Sequence, residues 1–117
     1  MTITPPPATL AATGLPAAAI AAIQAVLASH PQVERAVLYG SRALGRQREA
    51  SDIDLTLIGS DLNNASLAGI DAELDDLLLP WVIDLSAFSS LRHPALLDHI
   101  QRVGVVLYQR PWLGTLS

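Results

Sequence analysis

The sequence has no cysteine and no lysine. Without cysteine there is no disulfide framework, no thiolate metal site and no thiol nucleophile. Without lysine, all seven basic side chains are arginines, set against eleven acidic ones for a net charge of −4. A protein that tracks a nucleic-acid backbone needs a basic surface to displace counterions, so that class is excluded. Aromatics are scarce at 4% and charged residues reach only 15%, yet half of the chain is apolar, which describes a globular protein and not a disordered one. A long hydrophobic run is also missing. The most apolar stretch, residues 15–28 (LPAAAIAAIQAVLA), is too short to cross a bilayer. No formal charge precedes Glu34, so it lacks the basic leader of a secretion signal as well. The expected location is cytoplasmic, with no membrane partner.

What remains, in 117 residues, is one domain with a real core. Three consecutive prolines mark residues 1–13 as a flexible tail, and 111–117 as a second one that includes Trp112. The domain is expected over 14–110. Helical spacing of Ile20, Ile23 and Leu27 predicts a helix over 16–29, ended by His30-Pro31. Residues 33–39 read as a buried strand and 52–58 as an alternating one. An amphipathic helix follows over 66–79, with Ser66 as its cap and Leu67, Ile70, Leu74, Leu77 and Leu78 as its stripe. Pro80 stops it. A strand over 81–85, a helix from Pro94 to Gly104 and a last strand over 105–108 complete the order. There is no internal repeat and no linker, so the pattern predicts a single α/β layer structure.

The chemistry-bearing residues fall in three places. Asp52 and Asp54 are two apart on a strand, so they share a face with Cα atoms ~7 Å apart. Two such carboxylates grip a cation or repel, although a lone Asp-x-Asp is commonly a solvent-facing pair. Asp84 lies in an otherwise apolar strand, Trp81-Val82-Ile83-Asp84-Leu85, where a charge is costly unless paired, metal-bound or capping a backbone amide. If the two strands are neighbours, three carboxylates converge into the all-oxygen donor set that suits Mg²⁺. Gly40-Ser41-Arg42 stands where a strand turns toward a possible helical turn, so its amides and hydroxyl suit an anion. Arg42, Arg46 and Arg48 concentrate positive charge beside it, and Arg42 or Arg46 are candidates to neutralise a phosphate. His30, His93 and His99 have no shared metal spacing and read as surface or capping residues. Asp71, Glu73, Asp75 and Asp76 read as a solvated helix face. Trp81 reads as core, with partner anchoring as its other reading.

Gly40-Ser41, ten residues, then Asp52-Ile53-Asp54 resembles the signature of the polymerase-β-like nucleotidyltransferases. The surrounding GSRALGRQREASDIDLTLIG is similar to the minimal nucleotidyltransferase branch, and Asp84 in VIDL stands where that family has its third carboxylate. The resemblance spans residues 33–108. It implies a single-domain nucleotidyltransferase fold, a small mixed sheet of about four strands packed with helices. It implies that Gly40, Ser41 and the neighbouring backbone hold a triphosphate, with Arg42 and Arg46 beside them. Asp52, Asp54 and Asp84 would then be the catalytic and metal-binding residues, serving two Mg²⁺ ions or Mn²⁺, with ATP as substrate. Members of the MntA antitoxin type pair with a HEPN ribonuclease toxin and transfer AMP to its tyrosine hydroxyl, which implies a protein partner and no direct nucleic-acid contact. Two alternatives stay open: an antitoxin that neutralises its partner by binding alone, and a small-molecule nucleotidyltransferase that needs a helical partner subunit.

Overall fold

Alanine has the highest helix propensity, and the alanine-rich stretch forms helix α1, Ala17–Ala28. It buries Ala19, Ile23 and Leu27, a stripe repeating every fourth residue. The computed structural model of the chain describes residue 10 and residues 12–111. The tails expected at 1–13 and 111–117 lie largely outside those residues, and Trp112 with them. Thr13 is described and is fully buried, its hydroxyl donating to the Leu10 carbonyl at 2.6 Å.

Four strands follow: β1 Arg35–Tyr39, β2 Ile53–Ile58, β3 Ile83–Ala87 and β4 Val105–Gln109. They form one mixed sheet in the order β3-β2-β1-β4. β1 is antiparallel to both of its neighbours, while β2 and β3 are parallel. A parallel pair needs a crossover, and helix α2, Asn64–Asp75, supplies it. Helix α3, Pro94–Val103, connects β3 to β4 after a 3-10 turn at Phe88–Ser90. This is the small α/β nucleotidyltransferase-like architecture that the resemblance implies.

Strand alternation sorts side chains onto two faces. On one face Leu38, Leu55 and Leu85 lie side by side across three strands, with Ala36, Leu57 and Ala87 in the next row. These residues meet Ile23 and Leu27 of α1 and Ile70 and Leu74 of α2 in the main core. The other face carries Tyr39, Asp54 and Asp84 in one row and Val37, Thr56 and Ser86 in the next. Helix α3 covers part of it, with His99 against Tyr39 and Gly104 against Val37. The acidic end of that face is left open.

Several element boundaries differ from the sequence reading, most of all those of α2 and β3. Helix α2 starts two residues early because the Asn63 side chain, not Ser66, caps it by accepting the Ser66 N–H at 2.8 Å. It ends at Asp75, four residues early. Leu78 takes a left-handed φ of 55° ahead of Pro80 and is 87% exposed, so it is not part of the stripe. Strand β3 begins at Ile83 and not at Trp81, whose indole N–H turns away to donate to the Glu49 carbonyl at 2.8 Å. Among the described residues no helix is long and apolar enough to cross a membrane.

Candidate active site

The register of the parallel pair sets Asp84 directly beside Asp54. Neighbouring strands are ~4.8 Å apart, so both carboxyls rise from the same face at short range. Asp52 lies just ahead of β2 with the same parity as Asp54 and is exposed. Burial raises the carboxyl pKa of Asp54 above its ordinary value; the charges of Asp84 and then Asp52 raise it further, and His99 acts the other way. Asp54 thus feels both of the other acids. None of them takes part in an ion pair among the described residues. Nor, among the described residues, is any group of three His, Asp or Glu side chains drawn to the spacing of a formed metal site.

Gly40 follows β1 with φ 80°, in the left-handed region. A Cβ here would run into the Asp54 carboxylate, so the turn sits directly on the acidic group. The turn then closes on itself: Leu44 N–H donates to Gly40 C=O at 3.2 Å, and Arg46 N–H to Ser41 C=O at 2.9 Å. Ser41 is half-buried at its start and Arg46 is exposed at its end. The expected phosphate turn and the expected carboxylates therefore share one end of one sheet face.

The family model for polymerase beta nucleotidyltransferases matches residues 21–111. The chain belongs to that family. No curated protein sequence matches it. Among solved structures, a toxin–antitoxin complex with AMP-PNP aligns at a TM-score of 0.64 and 25% identity, covering 78% of this chain and 73% of the other. The tri-AMPylated Shewanella oneidensis HEPN toxin in complex with MNT antitoxin aligns at 0.60 and 21% identity, covering 80% and 71%. The MntA–HepT toxin–antitoxin aligns at 0.58 and 21%, covering 80% and 72%.

The nucleotidyltransferase site also holds residues that the spacing of the sequence did not single out. His99 of α3 accepts the Gly40 N–H at Nε2, 3.1 Å away, and its ring stands edge-on to Tyr39 with centroids 6.3 Å apart. Accepting at Nε2 places the proton of the neutral ring on Nδ1. The signal was faint: His99 is three residues after Leu96 and next to Ile100, at the margin of the inward stripe of α3. Tyr39 lies beside Asp54 in the same row, and burial is the first cause raising its hydroxyl pKa. His93 caps α3, its Nδ1 accepting the Leu96 N–H at 3.4 Å, and His30 pairs with Glu73 at 2.8 Å.

Arg42 is not where a phosphate ligand is expected. Its side chain is only 2% exposed and its guanidinium donates to backbone carbonyls. Arg46, exposed on the same turn and in no ion pair among the described residues, is the cation that remains available. A concavity of about 650 Å³ lies between α1 and β4 and is lined by Leu10, Ala21, Leu107 and Tyr108. It contains no titratable cluster, unlike the open acidic face.

His99 yields a direct prediction. His99→Leu leaves the Gly40 N–H without its acceptor, a loss of ~1–2 kcal/mol that lowers kcat/KM for ATP about ten-fold. His99→Gln, which keeps an acceptor at the reach of Nε2, recovers most of it. Equal rates for all three proteins in a steady-state transfer assay would show that the contact is idle.

Proposed function

We propose that this nucleotidyltransferase is an antitoxin that transfers AMP from ATP to a tyrosine hydroxyl of a partner HEPN ribonuclease toxin. The carrying observation is the pairing of Asp54 with Asp84 across adjacent parallel strands, next to the Gly40-Ser41 turn. Support for the substrates comes from the relatives: one toxin–antitoxin complex contains AMP-PNP, and another contains a tri-AMPylated toxin.

The residues fit divalent metal. Asp52, Asp54 and Asp84 offer oxygen donors alone, burial and then the charges of Asp84 and Asp52 raise the Asp54 pKa, and among the described residues none of the three forms an ion pair. These three would hold Mg²⁺, as two ions, or Mn²⁺ in its place. Bound there, such ions supply Lewis-acid polarisation of the phosphates and a lower hydroxyl pKa.

The protein's own part is positioning. The Ser41 backbone amide, the Ser41 hydroxyl and the Arg46 guanidinium orient the triphosphate. The tyrosine oxygen bonds to the α-phosphorus while the bond from that phosphorus to the bridging oxygen breaks, and pyrophosphate departs. The hydroxyl proton passes to a carboxylate oxygen of Asp84. Asp84 suits that role because it stands exposed on an edge strand, within reach of an acceptor brought by another protein.

The test is to incubate the chain, ATP, Mg²⁺ or Mn²⁺ and the neighbouring gene product. The expected result is the mass of one or more AMP units on a partner tyrosine. No adduct with either metal refutes the transfer. Undiminished protection of cells by a variant carrying both Asp52→Ala and Asp54→Ala would establish neutralisation by binding alone. Turnover of a small molecule without any protein adduct would point to the remaining alternative.

A further inference from the structure

Arg42 is the most deeply buried charge in the described chain, and its surroundings contain no acid. Among the described residues no carboxylate lies within ion-pair distance of it. Four hydrogen bonds satisfy it through three carbonyls. Nε and one terminal nitrogen fork onto the Ser51 carbonyl at 3.1 and 3.0 Å. That same terminal nitrogen reaches the Glu49 carbonyl at 3.2 Å, and the other reaches the Thr13 carbonyl at 2.9 Å. The guanidinium lies over the Trp81 ring, 5.4 Å from its centroid, and the Trp81 indole N–H binds the same Glu49 carbonyl.

The position of these partners in sequence is informative. Arg42 directly follows Ser41, and Ser51 directly precedes Asp52. One side chain therefore clasps the two ends of the ten-residue interval between the phosphate turn and the carboxylate strand. The loop between them is exposed at Arg46, Arg48, Glu49 and Ala50, and it is also tied by Gln47 donating to the Ala12 carbonyl, the Trp81 indole to the Glu49 carbonyl and the Arg48 N–H to the Ser51 hydroxyl. A planar fork with five donors can make this clasp, and a flexible ammonium cannot.

We propose that Arg42 is a positioning residue, holding the Gly40-Ser41 turn and Asp52 at a fixed separation through the Ser51 carbonyl, with Trp81 as its stacking support. The inference rests on the acidic face being the transfer site. It separates two tasks. The turn alone still binds triphosphate without the clasp, whereas alignment of that triphosphate with the carboxylates requires it.

The experiment uses Arg42→Lys in the full chain, with three readouts. Hydrogen exchange of amides 41–52 is expected to speed up about ten-fold or more, with amides of α2 and β4 unchanged. The Kd for ATP with Mg²⁺ is expected to stay within about three-fold. The kcat for AMP transfer to the partner is expected to fall about 30-fold or more, the scale of a small misplacement. Unchanged exchange over 41–52 overturns the proposal whatever the activity. A loss of ATP affinity that matches the loss of kcat/KM overturns it in favour of a phosphate ligand. A uniform rise in exchange with normal turnover per folded molecule overturns it in favour of plain stabilisation. Should Arg42→Lys not fold, Trp81→Phe keeps an aromatic face, smaller than the indole, and removes the bond to Glu49; a rise in exchange confined to residues near 49–52 is then expected, and none overturns the clasp. If the wild-type chain transfers nothing, the proposed function fails, while the exchange result still decides the role of Arg42.

Discussion

Replacing Asp54 by asparagine is expected to abolish nucleotidyl transfer and, in chelator, to raise the melting temperature. Loss of the central carboxylate removes an electrostatic group that acts in the transition state, so the rate should fall by roughly three orders of magnitude. Stability should move the other way. The Asp54 carboxyl is held above its ordinary value by burial, then by Asp84 and Asp52, so its charged form is less at home in the folded chain than in the unfolded one. An acid with a raised folded pKa binds its proton more tightly in the folded state. Its charge therefore weakens the fold at neutral pH, and the fold recovers as pH falls through the raised value. Because the group is half-exposed, the repulsion is worth only ~0.5 kcal/mol, about 2–4 °C in a domain of this size. The advantage of Asp54→Asn should shrink as the pH is lowered toward the ordinary carboxylate range, and should reverse when Mg²⁺ is added. A melting temperature equal to or below wild type in chelator at neutral pH would mean that the three acids do not strain one another.

The site was legible in part because strand periodicity is a strong constraint. Two residues apart on a strand means one face, and that alone paired Asp52 with Asp54. What periodicity does not encode is which strand comes next to which. The register that sets Asp54 beside Asp84 depends on the α2 crossover, a nonlocal feature that the family resemblance supplied and local pattern did not. Arg42 was misplaced for a related reason. Its neighbours in sequence, Ser41 and two further arginines, suggest a phosphate cluster, but its three carbonyl partners are 7 to 29 residues away and become neighbours only once the loop has folded. His99 was missed because a histidine at the margin of a helix stripe says nothing of what that helix covers. The misjudged ends of α2 and β3 are local contests lost to side chains, the Asn63 cap and the Trp81 hydrogen bond.

Gly40→Ala should have nearly as large an effect on activity as loss of an acid, for a different reason. At φ 80° any Cβ costs ~1–2 kcal/mol of backbone strain. At Gly40 that Cβ also collides with the Asp54 carboxylate, which must swing away from Asp84. A displacement of the reacting groups on the order of 1 Å costs about a hundred-fold in rate. Gly45→Ala is the control that separates the two causes. Gly45 has a similar φ of 71°, but its nearest heavy atom to an added Cβ is the Ala12 carbonyl oxygen at 3.9 Å, an ordinary contact. Both variants should therefore lose a similar amount of stability in urea, and only Gly40→Ala should lose transfer by about two orders of magnitude. If the two fall equally in rate per folded molecule, the close approach of the Gly40 backbone to Asp54 has no bearing on the chemistry. The left-handed turn would then be needed only for the fold.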